Sequence, residues 1–470
     1  MSRRDLTASI GTALIAALLG AVVTGAGSFT GHMHATGQRS SPANRHVILI
    51  SIDGFAAFHL ANEAIDLPNI RALAKAGAVA ESSETVFPSV THPSHTTLVT
   101  GVTPRRHGVV GNNVTDRRTG ERFHITNLPR RQSVRVPTLF DAVKRAGHRT
   151  AAFFWPETRD DSAIDDNIAE VFLPEGGADP RAVTPGLLDE LRRAGVPIDT
   201  YYAFYDDPFG HGAGDLALTQ AAAHVFADRT PALMATHLLV TDKVQHEFGP
   251  AHYLSWAALT TADRCVGLLR QAVAEAGLAD RTTFVIAADH GFVTVRHEMN
   301  VAPLVAEPSL DGRVRWRTNG WFLFAEKTES FDPARDGPVL ERVLKRLGSA
   351  PGIARVIGPG DMAALGFPDY DLNPYARGHY IVAADIDTHL VLDPDNPSTV
   401  RRLMAEPYHG HGYLPDHPAM YPALVLSGAG ISPGVRLGHV RNVDVAPTIA
   451  ALLRVELFDV DGRVLREALR

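Results

Sequence analysis

Cysteine is almost missing from this sequence, because its 470 residues contain only one, Cys265. A single thiol excludes an intrachain disulfide and any zinc module built from several thiolates. Basic residues are also fewer than acidic residues, 45 against 52, so the formal net charge is −7. This balance argues against a protein that mainly binds nucleic-acid backbone, and we expect no stable nucleic-acid complex. The chain has 22 histidines, so a metal site here would use imidazole and carboxylate ligands.

Charged residues are absent from one long stretch near the N-terminus, residues 6–38. Arg3 and Arg4 precede this stretch, and a basic start before an apolar run is typical of an export signal. The pair also loosely resembles a twin-arginine signal, while the apolar run is nearly long enough for an uncleaved membrane anchor. We therefore separate residues 1–42, as signal peptide or anchor, from a catalytic domain over 43–470. The protein is expected to be extracellular or in the cell envelope, either secreted or N-terminally anchored.

Short apolar runs alternate with amphipathic segments along the rest of the chain. This alternation predicts a three-layer α/β/α sandwich with a mostly parallel central sheet. The pattern breaks over roughly 293–407, which predicts an inserted cap region or an irregular edge of the same domain. The predicted strands are His46–Ile52, Arg149–Phe154, Asp199–Tyr205, Leu233–Thr241, Thr283–Ala288 and, as the last strand, Ala423–Ser427. The predicted helices are Ile70–Ala76, Pro137–Ala146, Asp215–Ala227, Leu254–Ala276 and Asn442–Leu453.

Polar side chains follow several of these strands. Asp53 ends the first strand, Asp242 and His246 follow a later one, and Asp289 and His290 follow the strand after that. Each of these residues taken alone is also compatible with a helix cap, a turn or a polar loop. Because ligands of open α/β sheets bind outside the carboxyl ends of the strands, we expect these groups to share one site.

Two further segments complete the candidate site. Thr91 lies two residues before Pro93, a plausible first helical residue, so its hydroxyl is either a helix cap or a nucleophile at an anion-binding helix N-terminus. His409 and His411 lie in a glycine-flanked loop, and either could be a ligand. Three carboxylates and three histidines suit two Zn²⁺ ions, although other divalent metals are compatible, and such metal pairs serve phosphoryl transfer.

Taken in order, these motifs resemble the alkaline phosphatase superfamily, and most closely its nucleotide pyrophosphatase/phosphodiesterase branch. The resemblance extends from about His46 to Leu453 and includes the Phe-Pro-x-x-Thr segment that ends at Thr91. It implies one metal site of Asp53, Asp289 and His290, with Thr91 as nucleophile and ligand. It implies a second metal site of Asp242, His246 and His411. It also places a transition-state-stabilising asparagine at Asn112, with Asn113 as the alternative.

The implied reaction is hydrolysis of a phosphodiester or pyrophosphate bond in a nucleotide or another small molecule, through a phospho-threonine intermediate. The residue after the nucleophile is typically aromatic in nucleotide-cleaving members, but here it is His92. Nucleotides, phospholipids and other diesters therefore stay open as substrates, with His92 and Tyr205 as candidate substrate contacts. The alternatives are a phosphonoacetate hydrolase, a phosphomonoesterase, and a metal-free binding protein on the same scaffold. The sequence leaves the oligomeric state open.

Overall fold

An eight-stranded sheet forms the centre of the protein, as described by a computed structural model. The structure describes residues 45–173, 178–203, 211–398 and 400–470. The strand order of the sheet is β17-β2-β16-β8-β1-β7-β5-β6, and its pairs are parallel except for those of β16. The strands of the described residues are β1 His46–Ile52, β2 Ala78–Glu84, β3 Asn113–Thr115, β4 Arg122–His124, β5 Thr150–Trp155, β6 Asp166–Ala169, β7 Leu233–Leu238, β8 Thr282–Ala287, β9 Val293–Asn300, β10 Val314–Thr318, β11 Phe322–Lys327, β12 Ile353–Ile357, β13 Tyr380–Ala384, β14 Thr388–Val391, β15 Arg402–Gly410, β16 Val425–Gly428 and β17 Val435–Arg441.

Helices cover both faces of this sheet. Alternate residues of β1 show the two faces directly, because Ile48, Ile50 and Ile52 belong to one apolar core while Val47 and Leu49 belong to another. The first core includes buried residues of α2, α9 and α11, and the second includes those of α3, α6 and α15. The α-helices are α1 Ala57–Ala61, α2 Pro68–Ala76, α3 Thr91–Thr100, α4 Pro104–His107, α5 Arg130–Ser133, α6 Leu139–Arg145, α7 Leu187–Arg193, α8 Ile198–Ala203, α9 His211–Arg229, α10 Val240–Phe248, α11 Tyr253–Glu275, α12 Ala302–Val305, α13 Pro333–Gly348, α14 Pro359–Ala364 and α15 Val445–Leu453.

The segment predicted to be a cap contains two smaller sheets. One has the order β10-β11-β13-β12 and is antiparallel throughout. The other has the order β14-β9-β15. Helix α13 begins at Pro333 beside Asp332, whose carboxylate accepts bonds from the first backbone N–H groups of the helix. The role of residues 293–407 as a cap over the catalytic domain stays a prediction.

The predicted α/β architecture with a mainly parallel sheet is confirmed. The strand predicted at His46–Ile52 has the same bounds in the structure, since a run of apolar β-branched residues is buried on both faces of the sheet. The last predicted strand corresponds to β16 but is not the last of the sheet, because β17 follows at Val435–Arg441. The N-terminal signal or anchor lies outside the described residues. Within the described ranges, no helix combines the length and the apolar character needed to cross a bilayer.

One predicted strand is wrong. The described part of Asp199–Tyr205 belongs to helix α8, Ile198–Ala203. Ile198 and Tyr201 are buried three residues apart, which is helical spacing. Tyr201 packs against Phe154 with ring centroids 4.9 Å apart, so burial of this face in the core determines the local structure.

Candidate metal centre

The polar residues that follow the central strands lie at one edge of the sheet. Strand β1 pairs in parallel with β7 on one side and β8 on the other, so the carboxyl ends of all three strands are adjacent. Asp53 follows β1, Asp289 and His290 follow β8, and Asp242 lies in the first turn of α10, after β7. The structure therefore brings together residues that are more than two hundred positions apart in the chain.

The first cluster, which we call the buried group, consists of Asp53, Asp289 and His290. The Nε2 atom of His290 lies 3.0 Å from Asp289 Oδ2 and 3.4 Å from Asp53 Oδ1. Asp289 Oδ1 accepts hydrogen bonds from the backbone N–H groups of Gly54 and His290, at 3.0 and 2.9 Å. His290 Nδ1 lies 3.0 Å from the Gly291 carbonyl and donates to it, which leaves Nε2 free to face the carboxylates.

The second cluster, which we call the open group, consists of Asp242, His246 and His411. The Nε2 atoms of His246 and His411 lie 3.3 and 3.6 Å from Asp242 Oδ1. The spacing of four residues on α10 places Asp242 and His246 on the same face of the helix. His246 Nδ1 donates to the carbonyl of His409, and His411 Nδ1 donates to the carbonyl of Ser89, at 2.9 and 3.0 Å.

The alternative ligand His409 is directed elsewhere. Its ring nitrogen Nδ1 lies 3.0 Å from the hydroxyl of Thr294. Its contribution to the open group is the backbone carbonyl that orients His246. Of the two histidines left open by the sequence, His411 is therefore the one whose side chain reaches Asp242.

Both groups fit divalent cations, as their unpaired buried atoms show. Asp53 Oδ1, Asp242 Oδ1, Asp289 Oδ2 and His290 Nε2 are buried without a hydrogen-bond partner among the described residues. Carboxylate oxygens and imidazole nitrogens are the ligands that zinc prefers when thiolates are absent. Ligand atoms of Asp242, His246 and His411 lie within 4.8 Å of one another, and so do those of Asp53, Asp242 and His290. Asp242 is thus within reach of both positions.

The charges of the centre lead to the same conclusion. Burial and the neighbouring carboxylates of Asp289 and Asp242 raise the pKa of Asp53 well above its ordinary value. Burial lowers the pKa of His290, but Asp289 and Asp53 outweigh it and raise that pKa to about 9. Three carboxylates crowded into a buried site need compensating positive charge, which two cations would supply.

Thr91 is the first residue of helix α3 and is buried. The backbone carbonyl of Thr91 accepts a hydrogen bond from His95 Nδ1 at 2.8 Å, and the same nitrogen lies 3.8 Å from Asp289 Oδ2. The start of α3 therefore stands beside the buried group. Asn112 is fixed at the same place, because its Oδ1 accepts the backbone N–H of His92 at 3.1 Å. That bond leaves the amide nitrogen of Asn112 as a donor at the wall of a cleft, with no hydrogen-bond partner among the described residues.

A chain of buried acidic and imidazole groups stands behind the buried group. His237 lies between two carboxylates, with Nε2 3.1 Å from Asp53 Oδ2 and Nδ1 3.1 Å from Glu170 Oε2. His92 continues the chain, with Nε2 3.7 Å from Glu170 Oε1 and Nδ1 3.0 Å from Glu157 Oε1. All five side chains are almost fully buried. Since His237 contacts Asp53 directly, this chain fixes the position of that carboxylate.

A cleft of about 700 Å³ opens beside the open group. His246, His411 and Asn112 contribute to its wall. Its apolar floor includes Phe87 and Phe322, whose ring centroids are 5.1 Å apart. The remaining lining includes residues of β10, β11 and β13 from the small antiparallel sheet. The cleft is large enough to hold a small organic substrate next to the two ligand clusters.

Comparison with known proteins identifies the family. The family model for type I phosphodiesterase / nucleotide pyrophosphatase matches residues 47–346, which is more than half of the chain. The chain belongs to this family. The matched segment contains every proposed ligand except His411, which lies beyond its end.

Curated relatives in the family are distant. Mouse ectonucleotide pyrophosphatase/phosphodiesterase family member 3 is 25% identical over 52% of this chain, and the matched segment spans 24% of that relative. A bis(5′-adenosyl)-triphosphatase of Xenopus laevis is 22% identical over 87% of this chain and 78% of its own length. The match thus covers about a quarter of the length of the mouse protein and most of the length of the Xenopus laevis protein.

Solved structures show the same fold. Human ectonucleotide pyrophosphatase/phosphodiesterase 5 superposes with a TM-score of 0.65 at 18% identity, covering 91% of this chain and 100% of that one. An inactive form of the murine protein, solved in complex with AMP, superposes with a TM-score of 0.64 at the same identity and coverage.

The two substrate contacts predicted from sequence have different outcomes. His92 is only 2% exposed, and its ring faces Glu157 and stacks edge-on against His124, with centroids 4.7 Å apart. Its imidazole is therefore not available to stack on a substrate, because the two buried glutamates hold it inward. Tyr205 lies outside the described residues.

Sequence reasoning missed the groups behind the buried group. A sequence signal existed for Glu157 and Glu170, because each follows a central strand as Asp53 and Asp289 do. His237 is a polar residue inside the apolar run of β7, which is also informative. Such a residue is either paired or costly to bury, and His237 is paired on both ring nitrogens.

Proposed function

We propose that this protein is a metal-dependent hydrolase of phosphodiester or pyrophosphate bonds that uses Thr91 as its nucleophile. The observation that supports this most strongly is the convergence of the buried group and the open group at the start of α3, next to a substrate-sized cleft. The buried group and the open group would each hold one divalent ion, and we expect zinc. Bound ions would neutralise the carboxylates, favour the alkoxide of Thr91 and stabilise charge on the phosphoryl oxygens.

Thr91 is well placed for attack. It is the first residue of α3, so it lies at the positive end of the helix dipole, which favours negative charge on its oxygen. The Thr91 hydroxyl first loses its proton to solvent. Its oxygen then forms a bond to phosphorus while the bond to the leaving oxygen breaks, and that oxygen departs with the electron pair. Water then hydrolyses the phospho-Thr91 intermediate and restores the hydroxyl.

Asn112 serves the transition state. Its carbonyl oxygen is occupied by the His92 N–H, so its orientation is fixed before substrate binds. The amide N–H₂ can then donate to a nonbridging phosphoryl oxygen as negative charge develops on it. A preorganised donor of this kind needs no rearrangement during the reaction.

The substrates we propose are small molecules with a nucleotide-like phosphate linkage. Relatives carry names of nucleotide pyrophosphatases and of a bis(5′-adenosyl)-triphosphatase, and the murine structural neighbour binds AMP. Several relatives are named as ectoenzymes or venom enzymes, which agrees with export of this chain by its N-terminal segment.

The test compares three substrates and two variants of Thr91. We expect purified protein supplied with zinc to bind about two ions and to cleave an aryl nucleotide diester faster than an aryl phosphate monoester or phosphonoacetate. A chelator should abolish this activity. Thr91→Ala should lower kcat/KM by at least about 10³-fold while the metal content is unchanged, and Thr91→Ser should retain part of the activity.

Two results would contradict the proposal. One is undiminished diester hydrolysis by Thr91→Ala. The other is fewer than one metal ion per chain after zinc supplementation. Preferential cleavage of phosphonoacetate would instead assign the chain to the alternative reaction on the same scaffold.

A further inference from the structure

Three arginines are among the residues that line the cleft. Arg122 comes from β4, Arg317 from β10, and Arg377 from the segment before β13. The three are far apart in sequence, so only the fold brings them to one wall. The same cleft has His246 and His411 of the open group in its lining.

The three arginines lie close enough for Arg122 and Arg317 to act on the charge of Arg377. Burial together with the neighbouring charges of Arg122 and Arg317 lowers the pKa of the Arg377 guanidinium, and Glu326 only partly offsets this. Glu326 Oε2 lies 3.5 Å from Nη1 of Arg315, and Arg315 is on the same strand, β10, as Arg317. Within the described ranges, no carboxylate oxygen comes within 4.0 Å of a guanidinium nitrogen of the three arginines. Arg377 donates to the backbone carbonyl of Asn113 at 3.2 Å, which fixes its direction.

Arg122 and Arg317 are exposed and Arg377 is half-buried, so water screens the repulsion between them only in part. Like charges held close together repel each other, most strongly where the surroundings are partly desolvated. An anion bound between them removes this repulsion and gains charge-assisted hydrogen bonds, which arginine can form in pairs. The unneutralised cluster is therefore evidence for an anionic ligand and not for a structural ion-pair network.

The position of the cleft indicates which half of the substrate it receives. Thr91 and the buried group stand together, since His95 contacts both. In-line attack places the departing group opposite the nucleophile. The cleft is lined by His246 and His411 of the open group and by no residue of the buried group, so we assign it to the departing half. This step rests on the function proposed above.

We propose that Arg122, Arg317 and Arg377 form an anion subsite that binds a second negatively charged group, a phosphate or a carboxylate, on the departing half of the substrate. The subsite would favour diesters whose leaving group is itself charged over diesters with a neutral leaving group. The three arginines are then specificity residues of this chain.

The experiment uses three substrates with the same thymidine 5′-phosphate half. The leaving group is pyrophosphate in thymidine triphosphate, neutral 4-nitrophenol in the aryl ester, and a carboxylate-bearing phenol in the 4-carboxyphenyl ester. We expect Arg122→Ala and Arg317→Ala each to lower kcat/KM for a charged leaving group by about 10-fold or more, and to leave the 4-nitrophenyl ester within about 2-fold of wild type. The charged substrate whose kcat/KM falls most in the arginine variants identifies the phosphate or the carboxylate as the preferred anion.

Arg436→Ala is the matched control, because Arg436 is an exposed arginine on the edge strand β17, away from the cleft lining. It should leave all three rates unchanged. Equal losses on charged and neutral substrates in the cleft variants, or no loss on either, would overturn the subsite.

A binding measurement separates this inference from the proposed function. Sulfate binding by wild type and by the Arg122→Ala/Arg317→Ala double variant can be measured by calorimetry without turnover. The subsite predicts at least about 10-fold weaker sulfate binding in the double variant and no change in Arg436→Ala. If wild type hydrolyses none of the diesters, the proposed function fails, and unchanged sulfate binding in the double variant would independently refute the subsite.

Discussion

The buried group and the open group use the same residue types in two different environments. Asp289 and His290 of the buried group have 0% exposure, whereas in the open group the side chain of His246 is 34% exposed. The buried group is supported by a second layer of ionisable side chains, in which His237 contacts Asp53. The open group is supported by backbone carbonyls and borders the cleft.

This difference predicts different behaviour for the two proposed metal sites. A carboxylate without access to water needs charged or hydrogen-bonded partners on every side, and the Asp53–His237–Glu170 contacts provide them. A ligand set that reaches solvent can exchange a water or a departing group. We therefore expect the buried group to hold its ion more rigidly than the open group.

The largest expected effect comes from changing one ligand in each group. Asp289→Asn keeps the size of the side chain but removes a charge where no water can replace it. We expect kcat/KM to fall at least about 10³-fold, with loss of one metal ion per chain and no recovery in excess zinc. His246→Gln should cost less, about 10- to 100-fold, and excess zinc should restore part of the activity because water can fill the exposed position.

Metal analysis and rate measurements over a range of zinc concentrations test this pair. Identical losses with the same response to zinc would remove the distinction between the two groups.

A smaller effect is expected behind the buried group. His237→Gln removes the imidazole that bridges Asp53 and Glu170, so Asp53 loses its fixed orientation. Residues that orient a metal ligand typically contribute 10- to 100-fold in metal affinity, and we expect a loss in this range by competition with a chromophoric chelator. His439→Gln is the control, since His439 also contacts a glutamate, Glu84, but at the protein surface. Unchanged zinc affinity in His237→Gln would show that the chain behind Asp53 has no part in metal binding.

The smallest effect concerns the support of the open group at acidic pH. His59 is buried, accepts the Ala56 N–H at Nδ1, and donates from Nε2 to the carbonyl of Pro250, just beyond α10. Burial lowers the pKa of His59 to about 4. In the unfolded chain the pKa of this histidine is near 6.5. Between about pH 6.5 and pH 4 the unfolded chain therefore binds a proton that the folded chain does not bind. Stability from this group is complete above about pH 6.5 and is lost as the pH falls toward 4.

At pH 5 this one histidine should lower the free energy of unfolding by about 2 kcal/mol relative to pH 7. His59→Gln can keep both hydrogen bonds without titrating. The difference in free energy of unfolding between wild type and this variant should therefore shrink as the pH falls. Urea unfolding at both pH values measures it. Parallel pH profiles for wild type and variant would contradict the assignment.

The sequence contained enough information to predict most of this centre. Strand ends were the useful signal, because apolar runs mark the central strands and parallel strands bring their carboxyl ends together. This reasoning predicted that Asp53, Asp242 and Asp289 would lie together. It failed for His92, whose side chain faces inward, because the direction depends on Glu157 and Glu170, which come from other strands. The helical state of Ile198–Ala203 was missed for a related reason, since packing against Phe154 outweighs local preference.

The carbonyl partner of His411 belongs to Ser89, only two residues before Thr91. The loop that leads to Thr91 therefore also sets the tautomer and tilt of an imidazole in the open group. A shift of this loop would move Thr91 and the ring of His411 together. The relative position of the proposed nucleophile and this proposed ligand therefore depends on one short stretch of backbone. A substitution near Ser89 would change the geometry of the centre, although it replaces no proposed metal ligand and no proposed substrate contact.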